Sequence, residues 1–207
     1  MPGDSIEHAF DFMMIKITNN CSSAQMRLLL LPLLSCLFWI IGCGEPEPDI
    51  SSPQTHTSGS ITFNYPKNWN ITQDSVMPGI QNLFIETPGD ALVILQVYSL
   101  RELDDLATFS KSFSDSASQE MPVGEMSNST FKDMPNEGGY ERIVEDFEIS
   151  ILGESIPNRR LYMSKEVAGG KALMILQVAT EDFTKVKVGF DLISNSLREN
   201  QIQELVK

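Results

Sequence analysis

An uncharged apolar run, Leu28–Ile41, divides the 207-residue chain into two unequal parts. Arg27 precedes the run, and Gly42 and Cys43 follow it. The sixteen residues from Leu28 to Cys43 would span about 24 Å as a helix, which is shorter than the ~30 Å hydrocarbon core of a bilayer. Runs of this length are more typical of signal-peptide cores or buried helices than of membrane spans. A strongly polar segment follows the run, which argues against a buried core helix.

This layout resembles a bacterial lipoprotein signal peptide, which has a positive start, a short apolar core and a small residue before the cleavage site. The resemblance predicts a signal peptide at residues 26–42 and lipidation of Cys43, whose sulfur is a good nucleophile. It implies a protein of the cell envelope, attached by lipid to a membrane on the periplasmic face or at the cell surface. An uncleaved transmembrane anchor is the alternative.

Residues 1–25 fit a signal peptide poorly, because they carry Asp4, Glu7 and Asp11 against the single basic residue Lys16. A complete signal already begins at Met26. We therefore interpret residues 1–25 as a mis-set N-terminal extension.

The mature part, residues 43–207, has 165 residues, which suits one domain. The full chain has 15 basic and 28 acidic residues. Removal of Lys16, Arg27 and the three leader acids leaves 13 basic and 25 acidic residues, a net charge of −12. Such a surface repels nucleic acid and anionic lipid head groups. The charge balance therefore excludes nucleic acid as a partner.

Residues 44–59 are rich in proline, serine and acidic residues, with Ile50 as the only apolar member. We predict a disordered linker here, after the lipidated Cys43, with a reach of roughly 50 Å if extended. The globular domain would then cover residues 60–207.

Histidine and cysteine are absent from that predicted domain. Of the histidines, His8 lies in the leader and His56 in the predicted linker, and Cys21 and Cys36 are lost with the leader. A domain without histidine or thiol cannot use Ser-His-Asp or Cys-His catalysis or an HExxH zinc site. We accordingly predict no catalytic residues, no metal and no cofactor.

Acidic clusters are the remaining candidates for chemistry. They are Asp104-Asp105, Glu145-Asp146-Glu148 and Glu181-Asp182. Two carboxylates in one cleft can perform acid–base chemistry, but each cluster is expected first as exposed surface. The adjacent pair Arg159-Arg160 is expected on a solvated turn, and Tyr65, Trp69, Tyr98 and Tyr162 are expected mostly in the core.

Two segments repeat the same pattern. Gly89–Ser99 and Gly170–Thr180 share seven identical positions of eleven, and both are apolar runs behind a glycine. They predict buried central strands. Either an old duplication or the shared environment of neighbouring strands explains the similarity. A helix is expected after each run, the first with a capping box at Ser99–Glu102 and the second capped by Thr180.

Shorter strands are expected at 60–64, 70–73, 81–86, 140–151 and 159–167, joined by short turns. Their order, together with Phe63-Asn64-Tyr65-Pro66, Trp69 and the final Phe190–Leu197 segment, resembles the PsbP-like superfamily of PsbP-, DcrB- and LpqN-like proteins. The resemblance covers about residues 59–200. It implies an α+β fold, an α/β/α sandwich with a mostly antiparallel β-sheet flanked by helices. The histidines that bind metal in some PsbP proteins have no counterpart here.

The sequence therefore predicts a membrane-anchored envelope lipoprotein that acts as a non-catalytic binding or accessory module with a protein partner. The alternatives are a small envelope enzyme that uses carboxylates without histidine, and a PsbP-type photosystem accessory protein.

The start at Met26 can be tested with an export reporter fused after residue 60. If translation begins at Met26, Met26→Ala should abolish export, since no start codon would lie next to the signal. A reporter that is still exported normally from this variant would contradict the interpretation of residues 1–25.

Overall fold

The computed structural model describes residues 46–99, 105–167 and 170–200. The predicted extension, the signal peptide and Cys43 lie outside the described residues. So do Asp104 and the last three positions of the predicted capping box.

Ten strands and two helices make up the described part of the chain. The strands are β1 Gln54–Ser58, β2 Ile61–Tyr65, β3 Asn70–Met77, β4 Ile80–Glu86, β5 Leu92–Ser99, β6 Glu125–Glu137, β7 Tyr140–Ile151, β8 Glu154–Val167, β9 Gly170–Ala179 and β10 Arg198–Glu199. The helices are α1 Leu106–Gln119 and α2 Phe183–Ser196. Seven strands form a large sheet in the order β3-β4-β5-β9-β8-β7-β6, and three form a small sheet in the order β1-β2-β10. All the strand pairs are antiparallel.

The large sheet has an apolar core on each face. One core lies under α1 and includes Phe113, Tyr162 and Ile175. The other lies under α2 and includes Phe190 together with Ile61 and Phe63 of β2. The α+β class and the antiparallel sheet are confirmed. The simple α/β/α sandwich needs correction, because the small sheet shares the layer of α2 and makes the fold richer in β-structure.

The two repeated segments form β5 and β9, which are neighbours at the centre of the large sheet. Ile94 and Ile175, which occupy the same position in the repeat, face each other across this pair. Both strands are buried on both faces, so both carry near-continuous apolar runs. The two repeated sequences thus occupy the same environment, at the buried centre of the large sheet.

The linker prediction is wrong for its larger part. Asn68 donates to the carbonyl of Glu47, and the backbone N–H of Asp49 donates to Asn68 Oδ1 at 2.8 Å. Hydrogen bonds from Ser51 lower the pKa of the Asp49 carboxyl. Gln54–Ser58 then pairs with β2. A polar segment can form an edge strand because it needs only backbone pairing, and a hydropathy pattern does not register this.

His56 is consequently part of the fold and not a solvated linker residue. Its Nε2 lies 3.0 Å from Asp74 Oδ2 on β3, and its ring centroid lies 5.5 Å from that of Phe63. His56 therefore joins the small sheet to the edge of the large sheet.

Three further boundaries differ from the predictions. The side chain of Asp105 caps α1 by accepting the Thr108 N–H at 2.8 Å, and this hydrogen bond lowers the pKa of Asp105. Asp182 and not Thr180 occupies the N-cap position of α2. Residues 154–158, which lie between the strands expected at 140–151 and 159–167, belong to β8, because Leu152 and Gly153 alone make the turn between β7 and β8. Strand β6, which is mostly polar and almost entirely exposed, was not predicted.

Helix α2 packs tightly on the turn before β3. A Cβ at Gly189 would lie 2.4 Å from Trp69 Cζ2 and 3.0 Å from Pro66 Cγ. Gly189→Ala should therefore lower the free energy of unfolding by about 1–3 kcal/mol through overpacking, although alanine favours helices. Urea denaturation measures this. Val188→Ala on the exposed side of the same helix is the control, and equal stability of the two variants would contradict the packing argument.

Candidate functional site

Two adjacent acids on β7 face two adjacent arginines on β8. Glu145 lies opposite Arg160, and Asp146 lies opposite Arg159. Because successive residues of a strand point to opposite faces, each face of the sheet receives one ion pair. The Glu145–Arg160 pair lies under α1, and the Asp146–Arg159 pair lies on the face that carries α2.

The pair under α1 is completely buried. Arg160 Nη1 lies 2.8 Å from Glu145 Oε2, and both side chains have 0% exposure. The expectation of surface positions for Glu145 and Arg160 is therefore wrong. The sequence contained a usable signal, because Glu145 alternates in phase with Ile143, Phe147 and Ile149, all of which face the core.

Glu145 accepts four hydrogen bonds, two on each oxygen. Oε1 accepts from Ser114 of α1 at 2.5 Å and from Ser129 of β6 at 2.9 Å. Oε2 accepts from Arg160 and, at 2.7 Å, from the hydroxyl of Tyr162. Burial raises the pKa of Tyr162, so this hydroxyl stays a donor. With its charge paired and its oxygens occupied, Glu145 is arranged as a structural carboxylate.

Arg160 is equally well satisfied. Its Nε and Nη2 donate to Gln177 Oε1 on β9 at 2.8 and 2.6 Å. Its guanidinium carbon lies 4.5 Å from the ring centroid of Phe147 and 5.2 Å from that of Phe113. Glu145, Arg160 and Gln177 are consecutive partners across three strands, so the network joins β7, β8 and β9 at one level.

The second ion pair is open to solvent. Arg159 donates to both oxygens of Asp146, through Nε at 2.7 Å and Nη2 at 3.1 Å, and its guanidinium lies 5.1 Å from the Phe183 ring centroid. The hydrogen bond to Asp146 raises the pKa of Arg159. The pair lines a shallow cleft of about 260 Å³, with Asn128, Thr130, Glu148 and Thr180 among its other walls. A positive φ of 57° places Asn128 in a bulge of β6 at the rim of this cleft.

A similar cleft of about 270 Å³ lies at the start of α1, with Asp105, Asp133 and Glu141 on its walls. These acids are exposed, and among the described residues no group of three or more histidine, cysteine or acidic side chains is placed to hold a metal ion. None of the described helices is long and apolar enough to cross a membrane.

Apart from Tyr162, the other acids and aromatic residues named from the sequence do not form a common site. Asp182 pairs with Lys185 at the start of α2, and Glu148 accepts from Ser155. Trp69 lies in the core under α2, whereas Tyr98 and Tyr162 lie in the core under α1. Of the residues named from the sequence, the structure brings together those of the β7–β8 ion pairs, with Tyr162 beside the buried pair and Glu148 on the wall of the open cleft.

Comparison with known proteins gives structural similarity only. No family model matches the sequence, and no curated protein matches it. The solved structure of cyanobacterial PsbP (CyanoP) from Synechocystis sp. PCC 6803 matches with a TM-score of 0.50 and 16% identity, over 73% of this chain and 94% of CyanoP. The chain has a PsbP-like fold. LpqN of Mycobacterium tuberculosis, described as involved in cell envelope biogenesis, matches at a TM-score of 0.38 and 13% identity, over 75% of this chain and 99% of LpqN.

The two ion pairs of this PsbP-like fold provide a matched mutational test. Glu145→Gln leaves Arg160 buried without a counter-charge and should cost about 3–5 kcal/mol of unfolding free energy. Asp146→Asn breaks the exposed pair one residue away and should cost less than about 1 kcal/mol. Chemical denaturation of both variants measures the difference.

Combining Glu145→Gln with Arg160→Met removes both buried charges. The double variant should be more stable than Glu145→Gln alone, because an apolar pair carries no desolvation penalty. Equal destabilisation by Glu145→Gln and Asp146→Asn would show that the buried pair has no special role.

Proposed function

We propose that this protein is a lipoprotein of the bacterial cell envelope that acts as a non-catalytic binding or accessory module. In this proposal Cys43 carries the lipid, and the PsbP-like domain presents its surface to a protein partner. The sequence before Pro46 supports the anchor, and the organisation of the domain supports the absence of catalysis.

The state of Glu145 carries the non-catalytic part of the proposal. A general acid or base needs a free oxygen that can contact a substrate in a cleft. Glu145 is the only buried carboxylate among the described residues, and protein groups occupy both of its oxygens. The carboxylates that line the two clefts are partly or fully exposed to solvent, so none of them lies in the buried cleft that a catalytic carboxylate pair occupies.

The PsbP-like fold supports an accessory role. Members of the superfamily that the sequence resembles are mainly accessory or binding proteins. Fold alone does not assign a function. The proposal also requires a lipid on Cys43, and this lipid anchor can be tested directly.

Replacing Cys43 should remove the lipid and leave the signal peptide uncleaved. Expressed in a bacterial host, Cys43→Ser should appear as a longer precursor that incorporates no labelled palmitate and leaves the membrane-anchored lipoprotein pool. Cys36→Ser, which changes a cysteine within the predicted signal, is the matched control and should be processed normally. Normal palmitate labelling of Cys43→Ser, or loss of labelling in Cys36→Ser alone, would refute Cys43 as the lipidation site.

A further inference from the structure

Several segments of the large sheet end at the same level. The strand register places Asn70, Glu86, Leu92, Gln177 and Arg160 in one row across it. Strands β3 and β5 begin at this row and β4 ends there. Strands β7 and β8 continue beyond it. We call this side of the molecule the hairpin end.

The β7–β8 hairpin projects from the hairpin end. Six residues of β7 follow Glu145, and six residues of β8 precede Arg160. At about 3.3 Å per residue the hairpin extends roughly 20 Å past the row. Its turn consists of Leu152 and Gly153, with φ values of 53° and 88°.

Leu152 is an unusual residue for this turn. Two positive φ values favour Asn-Gly, and leucine rarely adopts the left-handed region. Yet Leu152 is 91% exposed at the outermost point of the hairpin. Val123 and Ile156 are also exposed. Both lie near the tip of the hairpin. Ile156 pairs with Ile149, and Val123 lies two residues before Glu125, the partner of Ser150. An apolar patch therefore occupies the tip.

The chain also enters the domain at the hairpin end. Hydrogen bonds from Asn68 and Lys67 hold Glu47 and Asp49 against the turn that leads into β3 at Asn70. Glu47 is four residues after Cys43, so the lipidated residue lies at most about 14 Å from a fixed point of the domain. This distance is much shorter than the reach of roughly 50 Å expected from the sequence for an extended 16-residue linker.

We propose that the hairpin end faces the bilayer and that the patch of Leu152, Val123 and Ile156 inserts into the lipid interface. This inference rests on the proposed lipidation of Cys43, which holds the domain at the membrane and makes a weak apolar contact effective. Glu125 and Glu154 flank the patch, so the lipids it contacts are zwitterionic rather than anionic.

Tryptophan fluorescence tests this orientation. Leu152→Trp places an interfacial fluorophore at the tip, and Val76→Trp places one at the opposite end of the sheet, where Val76 is 64% exposed near the β3–β4 turn. Each variant is purified from membranes in its mature form and reconstituted into phosphatidylcholine vesicles, with and without brominated acyl chains. The protein without either substitution corrects for Trp69, which is buried.

The L152W protein should show a blue-shifted emission and a loss of intensity in brominated vesicles, and the V76W protein should show neither. Unchanged L152W emission, or equal or greater quenching of V76W, would overturn the proposed orientation. Mass spectrometry of the same samples separates the two proposals. A bare Cys43 thiol would refute the lipidation, whereas lipidated protein without quenching at the tip would refute only the bilayer contact.

Discussion

The buried ion pair between Glu145 and Arg160 is the constraint on which the β8-β7-β6 part of the large sheet depends. A buried charge without a partner is costly, so only pairings of β7 and β8 that bring these two side chains together are stable. A one-residue slip would send Glu145 to the opposite face from its partner and would also turn Phe147 away from the core. The second pair, Asp146 with Arg159, favours the same register from the other face. Two adjacent acids opposite two adjacent bases thus specify one alignment of a long hairpin, whose outer half also contributes Phe147 and Ile149 to the core.

The same carboxylate organises elements on either side of the hairpin. Ser114 anchors α1 to it, and Ser129 anchors β6 to it. Strand β6 has a bulge between Ser127 and Thr130, where two residues oppose one residue of β7. In this bulge Ser129 donates to Glu145, and Asn128 reaches the rim of the open cleft. This explains how a polar strand with few buried side chains holds its place at a sheet edge. Its bulges, together with Lys132 and Pro135, also protect that edge from pairing with other chains.

The sequence predicted most of the central elements because their signals are local. The apolar runs of β5 and β9, and the stripes that include Phe113 and Phe190, report burial directly. Strands β1 and β6 were missed because their stability comes from backbone pairing with a neighbour distant in sequence, which no periodicity records. Arg160 and Glu145 were misplaced for a related reason. A charged residue is assigned to the surface unless its partner is known, and fifteen residues separate these two along the chain. The position of Glu145 in the alternating pattern of β7 indicated burial, but its charge led to a prediction of exposure.

The docking of residues 47–58 changes what a lipid on Cys43 would do. A free linker of sixteen residues would let every face of the domain meet the membrane or a partner equally often. Only three residues separate Cys43 from Glu47, which is hydrogen-bonded to Asn68 in the turn before β3, and this short connection removes most of that freedom. With the hairpin end towards the bilayer, the opposite end of the sheet, the outer side of α1 and the edge of β6 stay accessible. A protein partner of the envelope would then meet an acidic surface in a nearly fixed orientation. If the domain is the binding module proposed above, recognition would depend on this orientation as well as on the side chains of the open cleft, because the Glu145–Arg160 charges are buried inside the sheet.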